Sequence, residues 1–279
     1  MHSDKRIYHL IPSKNEENLP FLFESPHSGT FHPEDGDEHI ASGKVFQGVD
    51  RFVDELFAFV PDMGAPLIHA DFCRCYIDPN RALDDMRPEW FDAPWPHPLN
   101  PSEKSANGIG LIWPKKCGIT HSPDDIQDRI DRYYRPYHQV IRDEIDRLHK
   151  QFGHVLHISC HSAPHKIMKP QINPRVNYTA DIVISDQFGQ TADARIGRAL
   201  RNLFENKGYK TMSNDPFQGD ELIRAHGSPQ NNRHSIQIEI NRVLYMDEAK
   251  IKRSAKKFSK LQNDLHEIFT QLHKAHSLT

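Results

Sequence analysis

Four positions carry side chains that could together run a metal-assisted hydrolysis: His27, Asp50, His161 and Glu239. Two imidazoles and one carboxylate, with water in the fourth position, make a catalytic zinc set. A further carboxylate held beside it can take a proton from the attacking water. No His-Glu-x-x-His pair occurs, so only the fold could bring these groups together. Each also has a plainer reading when taken alone. A loop histidine is usually solvated, Asp50 stands where a helix N-cap would, and an alternating strand is most simply a surface strand.

Several elements must position them. Residues 235–241, Ser-Ile-Gln-Ile-Glu-Ile-Asn, alternate strictly, which predicts a strand with Ile236, Ile238 and Ile240 on one face. Gln237, Glu239 and Asn241 are poor strand residues, and their shared face suggests a wet cleft. Residues 20–24 read as a buried strand that breaks at Pro26 and Gly29, with His27 in the loop. Residues 154–159 read as another strand, with His161 just past its end. In open α/β sheets, sites lie at the carboxyl ends of strands.

Helical spacing marks residues 50–60 and a long helix from Ser122-Pro-Asp-Asp to about Gln151, ended by Gly153. Strands are expected at 66–70, 181–185 and 209–212, and helices at about 191–206 and from Asp247 onwards. Asp78-Pro-Asn-Arg81 is a turn presenting Asn80 and Arg81. Residues 82–121 show no period, and the apolar segment Gly108–Trp113 predicts an ordered lid. Strands alternating with helices place the chain in the α/β class, with a mixed, mostly parallel sheet covered on both faces. No linker or repeat divides residues 1–279, so one domain is expected.

Bulk properties narrow the partners. The chain has 279 residues, a net charge of −3 and 37% hydrophobic residues. Neither a nucleic-acid nor a membrane partner is indicated. The opening Met-His-Ser-Asp-Lys-Arg has no signal-peptide core, so the cytoplasm is the expected compartment. Cys73, Cys75, Cys117 and Cys160 are expected to be thiols. Nineteen histidines invite a search for ligands but decide nothing alone. The oligomeric state stays open.

In chain order, several blocks resemble the N-formylglutamate amidohydrolase family. They are Ser25-Pro-His-Ser-Gly29, Cys73-Arg-Cys-Tyr-Ile-Asp-Pro-Asn-Arg81, Gly110-Leu-Ile-Trp113 and Tyr134-Arg-Pro-Tyr-His138. Cys160-His-Ser162, Asn214-Asp-Pro-Phe217 and Ile236-Gln-Ile-Glu-Ile-Asn-Arg-Val-Leu-Tyr-Met246 complete the set. The resemblance spans about residues 20–248. It implies a three-layer α/β/α sandwich similar to the zinc carboxypeptidases. It also implies zinc-dependent hydrolysis of an N-formyl amino acid such as N-formyl-L-glutamate, a step in amino-acid degradation such as histidine catabolism.

Carried over to this chain, His27, His161 and Asp50 would hold one zinc ion, with Glu24 and Asp71 as rival carboxylates. In the carboxypeptidases the acidic ligand stands three residues after the first histidine, where this chain has Thr30. Glu239 would be the base, Arg74 would stabilise the oxyanion, and Asn80 and Arg81 would grip the substrate carboxylate. Gly219-Asp220 stands where the resemblance leads one to expect Gly-Gly, which leaves the exact substrate open. Two other readings remain: a zinc amidohydrolase for a different acyl amino acid, and an inactive binding protein on the same scaffold. Cys160 beside His161 makes a poor thiol–imidazole pair, because neighbours on a strand face opposite ways.

Overall fold

Seven strands form one sheet: β1 (Tyr8–Ile11), β2 (Phe21–Ser25), β3 (Leu67–Ala70), β4 (Val155–Ala163), β5 (Ile182–Ser185), β6 (Thr211–Ser213) and β7 (Arg233–Asn241). Their spatial order is β1-β3-β2-β4-β7-β5-β6. The central run β3-β2-β4-β7 is parallel. At its two ends, β1 runs antiparallel to β3, and β5 antiparallel to β7. The computed structural model describes residues 7–15, 18–32, 48–113, 120–172, 175 and 177–276. Cys117 lies outside the described residues.

Helices cover both faces, giving the three layers expected. On one face pack α1 (Val53–Leu56), α2 (Val60–Met63), α6 (Ala194–Asn206) and the long α7 (Ala255–His276). Phe23, Ile158, Cys160, Ile236, Ile238 and Ile240 meet Phe57, Phe204 and Phe269 there. On the other face lie α4 (Pro123–Arg129) and α5 (Arg135–Phe152), joined by a π-helical turn at Ile130–Tyr134. Tyr137, Ile141 and Leu148 pack against Leu22 and Ile68. Gly153, in the left-handed region at φ 75°, ends α5. Each fully buried Leu, Ile or Phe contributes about 1.5–3 kcal/mol relative to exposure.

The plainer reading of β7 as a surface strand falls: it lies between β4 and β5, and Ser235 to Asn241 are all buried. Three expectations are revised. β4 runs on to Ala163, so His161 sits within the strand, in register with Glu239. The helix expected over 50–60 splits in two, because the Asp50 N–H is held by the His27 carbonyl (2.9 Å) and Phe52 is left-handed at φ 68°. The C-terminal helix begins at Ala255, since Met246–Asp247 pairs with Lys252–Arg253 in a small hairpin. β1, a half-buried edge strand, was not foreseen.

The apolar segment 108–113 is ordered but works as packing. Leu111 and Ile112 are fully buried in the second core, and the Asp78 N–H donates to the Leu111 carbonyl (2.7 Å). The Ile109 carbonyl also accepts from Arg81 Nε (3.0 Å), so the segment is tied down beside that arginine. A short helix, α3 (Glu103–Ala106), precedes it, with the Ser102 hydroxyl accepting from its first N–H groups.

Candidate metal and hydrolase site

The site lies at the carboxyl ends of β2, β4 and β7. From β2 the chain moves outward to β3, whereas beyond β4 it moves to the β7 side. The crevice between β2 and β4 is therefore a switch point, where ligands of open α/β sheets sit. His27 follows β2 in a tight loop. Gly29 permits that loop, because a Cβ there would strike the Asp71–Phe72 backbone. The Ser28 hydroxyl accepts from the Asp54 N–H (3.1 Å) and donates to the Asp50 carbonyl (3.2 Å). Ser28 thus does the capping expected of Asp50, whose carboxylate is left to turn inward.

His27, Asp50 and His161 converge there. The two Nδ1 atoms are 3.1 Å apart, and Asp50 Oδ2 lies 3.1 Å from His161 Nδ1 and 3.5 Å from His27 Nδ1. All three residues are buried. Three lone-pair-bearing atoms crowded together are an arrangement that a cation relieves. Tetrahedral ligands bonded to zinc at about 2.0–2.1 Å stand about 3.3 Å apart, which these spacings match.

The far nitrogens are also provided for. His27 Nε2–H donates to Asp78 Oδ1 (2.7 Å), and His161 Nε2–H donates to Ser159 Oγ (2.9 Å). Each histidine is thereby fixed with Nδ1 toward the cluster, as a metal ligand requires. The residues present therefore fit a zinc ion.

Electrostatics agree. Burial drives the His161 pKa down to about 4, with His27 and Arg74 adding to the fall, so its ring is neutral. Burial opposes the charge of Asp50, but the two histidines set against it outweigh burial and hold the carboxyl well below its usual range. Its other oxygen accepts from Arg242 Nη2 (3.0 Å).

Glu239 faces the same crevice one strand away from His161. Burial lifts its pKa to about 8, Asp50 adds to the rise, and Arg74 and Arg242 oppose it. Gln237 Nε2 donates to Glu239 Oε1 (3.1 Å).

The rival carboxylates stand elsewhere. Glu24 accepts from Tyr137 (2.7 Å) and from Ser159, one hydrogen bond behind His161. Asp71 pairs with His9 (2.9 Å). Arg74 reaches Asp78 Oδ2 through Nε (2.9 Å) and Nη2 (2.6 Å). Asn80 is wedged between His161 and Gln237, while its Oδ1 accepts from the Leu222 N–H (2.9 Å). Arg81 meets neither Asp84 nor Asp85; Nη1 donates to Asp220 Oδ2 (3.2 Å), and Asp78 is 4.0 Å away.

The sequence reading missed Asp78, Ser159, Gln237 and Asp220 as parts of this network. Gln237 had a signal, since it shares the polar face of β7 with Glu239. Asp78 had one in its block with Asn80 and Arg81. Asp220 had one in the Gly219-Asp220 departure from the expected Gly-Gly, and Ser159 had none that composition or spacing could reveal.

The sequence model of the N-formylglutamate amidohydrolase family matches residues 19–246. The chain belongs to this family. The N-formylglutamate deformylase of Pseudomonas putida is 28% identical over 243 residues, covering 85% of this chain and 86% of its own. That of Pseudomonas aeruginosa is 27% identical over 240 residues, covering 82% and 83%. The crystal structure of N-formylglutamate amidohydrolase from Ralstonia eutropha JMP134 superposes with a TM-score of 0.85 at 36% identity, over 96% of this chain and 97% of that one. The Agrobacterium tumefaciens gene product Atu2144 shares the fold, with a TM-score of 0.63 at 16% identity. The amidohydrolase family thus embraces nearly the whole sheet and every residue of the cluster.

Proposed function

We propose that the protein is a zinc-dependent amidohydrolase that cleaves N-formyl-L-glutamate, or a close N-formyl amino acid, to formate and the free amino acid. The observation that carries this is the convergence of His27, Asp50 and His161 beside Glu239, in a chain of the amidohydrolase family. One zinc ion held by the three ligands would polarise a carbonyl and lower the pKa of bound water.

The protein's own groups do the rest. Glu239, set rigidly on β7, accepts the proton of the attacking water and returns it to the departing nitrogen. Its raised pKa suits it to hold that proton between the two steps. Gln237 orients the Glu239 carboxylate. Arg74, anchored on Asp78, supplies positive charge to the crevice, stabilising the oxyanion that develops on the substrate and acting as counter-charge to Glu239. Arg81, with Asn80 beside it, binds the substrate carboxylate through its planar fork. The alternative of another acyl amino acid is favoured only by Asp220 at the carboxylate end of the site. The cytoplasm is the proposed compartment: Cys73, Cys75 and Cys160 are free thiols, which suits reducing surroundings. No helix among the described residues is long and apolar enough to cross a membrane.

The deciding experiment measures formate release across a panel of N-formyl amino acids, with metal content determined on the same sample. About one zinc per chain and turnover of N-formyl-L-glutamate are expected. Metal-free protein that neither takes up zinc nor releases formate would overturn the proposal. For Arg81, wild type and Arg81→Lys are compared on an N-formyl amino acid and on its α-amide. A charge-assisted bond worth about 1.5–3 kcal/mol predicts about a 10- to 150-fold fall in kcat/KM on the acid. The amide should fall far less; equal losses would return Arg81 to a structural role.

A further inference from the structure

The one oxygen on which Arg81 and Lys104 meet belongs to the protein itself. Arg81 Nη1 lies 3.2 Å from Asp220 Oδ2, and Lys104 Nζ contacts the same atom. Arg81 is only 5% exposed, and the Ile109 and Asn80 carbonyls take its Nε (3.0 Å) and share its Nη1 (2.7 Å). Its guanidinium is therefore aimed, not loose. Arg81, Lys104 and Asp220 line a cavity of about 350 Å³ together with Gln187. Gly219 delivers Asp220 to this place: it is left-handed at φ 89°, and a Cβ there would strike Ile223. The Asp220 N–H donates to Gln237 Oε1 (3.3 Å), whose amide donates to Glu239. The Asp220 backbone thus ends a short hydrogen-bonded path from the proposed base, and its carboxylate sits where a substrate carboxylate would seek Arg81.

We infer that Asp220 is a tethered counter-ion that fills the carboxylate seat of Arg81 and Lys104 in the free protein, and that an incoming acid must take Arg81 from it. This rests on the reading of Arg81 as the carboxylate-binding residue. Arg74, Arg81 and Lys104 stand against Asp78 and Asp220, which leaves a single uncompensated positive charge, enough for one carboxylate of a ligand. A second carboxylate on the same ligand has to compete with Asp220 at close range, where like charges repel. Asp220 therefore sets how well the site accepts a dicarboxylic acid relative to its half-amide.

The test compares wild type with Asp220→Asn, which keeps the size and removes the charge. Kd for glutarate is measured by calorimetry on the zinc-equilibrated protein, and kcat/KM is measured for N-formyl-L-glutamate and N-formyl-L-glutamine. Glutarate should bind about 10-fold more tightly to the variant, and the glutamate-to-glutamine ratio of kcat/KM should rise by a similar factor. Unchanged or weaker glutarate binding would show that Asp220 only orients Arg81, and would overturn the inference. Lys104→Met provides a second reading that leaves Asp220 in place: removing a cation from the seat should weaken glutarate binding, and no change would count against the seat. Glutarate binding needs no turnover. A protein that binds glutarate as described yet releases no formate would sink the proposed activity and leave this inference standing.

Discussion

Glu239 and Asp50 are both buried carboxyls within reach of one another's field, yet their environments push them apart. The two histidines beside it keep Asp50 ionised, whereas burial lifts Glu239 to about 8. One is thereby suited to bind a cation and the other to carry a proton. Glu239→Gln should keep the metal, because Glu239 is outside the ligand cluster, and should lose about 10²-fold or more in kcat. A near-native rate in a zinc-replete variant would reassign the base.

The same residue makes a pH prediction for metal-free protein. The folded pKa of Glu239 is raised above its unfolded value of 4.5. Its contribution to stability is therefore fully present below about pH 4.5 and is lost as pH rises through about 8. Across that window the melting temperature of metal-free Glu239→Gln should rise relative to that of the metal-free wild type as pH increases. Parallel curves would contradict the shift. Asp78 acts through His27, so Asp78→Asn should weaken zinc binding by about 10- to 100-fold, read by competition with a chelator.

At the scale of elements, the best read were those whose pattern is set by burial on one side. The alternation of β7 gave both faces correctly, and Ile236, Ile238 and Ile240 do lie in the core. What spacing could not reveal was that the polar face is buried too, since a strand's neighbours are chosen by long-range pairing. The helix after Ser122 was legible from its tyrosines and aliphatics, but its π turn was not. That turn accompanies a row of polar tips aimed at the site: Tyr134 Oη reaches the Arg81 carbonyl (2.9 Å), Tyr137 Oη reaches Glu24 and His138 Nε2 reaches the Pro79 carbonyl (2.8 Å). Tyr137→Phe leaves buried Glu24 Oε2 without its donor and should cost about 1–3 kcal/mol in denaturant unfolding. An unchanged midpoint would mean that Glu24 finds another partner. Asp50 shows the opposite failure. Its position beside a helix start pointed to a cap, and only the Ser28 hydroxyl and the His27 carbonyl turn it inward.

For the molecule as a whole, the metal ligands come from stretches that meet only when β2, β4 and β7 have paired. His27 and His161 are 134 positions apart, and Asp50 and His161 are 111 apart. An unfolded chain holds no local chelate of these three, so closing them into a site carries the entropy of very long loops. Zinc should thus act as a late guest. It should add stability by mass action on the native state alone, through slower unfolding, with little change in the refolding rate. Stopped-flow refolding with and without zinc would check this, and a refolding limb accelerated by the metal would show that the ligands gather early. In a cell, the consequence is one of timing: synthesis and folding of this chain would not wait on metal supply, and a pool of finished, empty protein could be charged later as zinc became available.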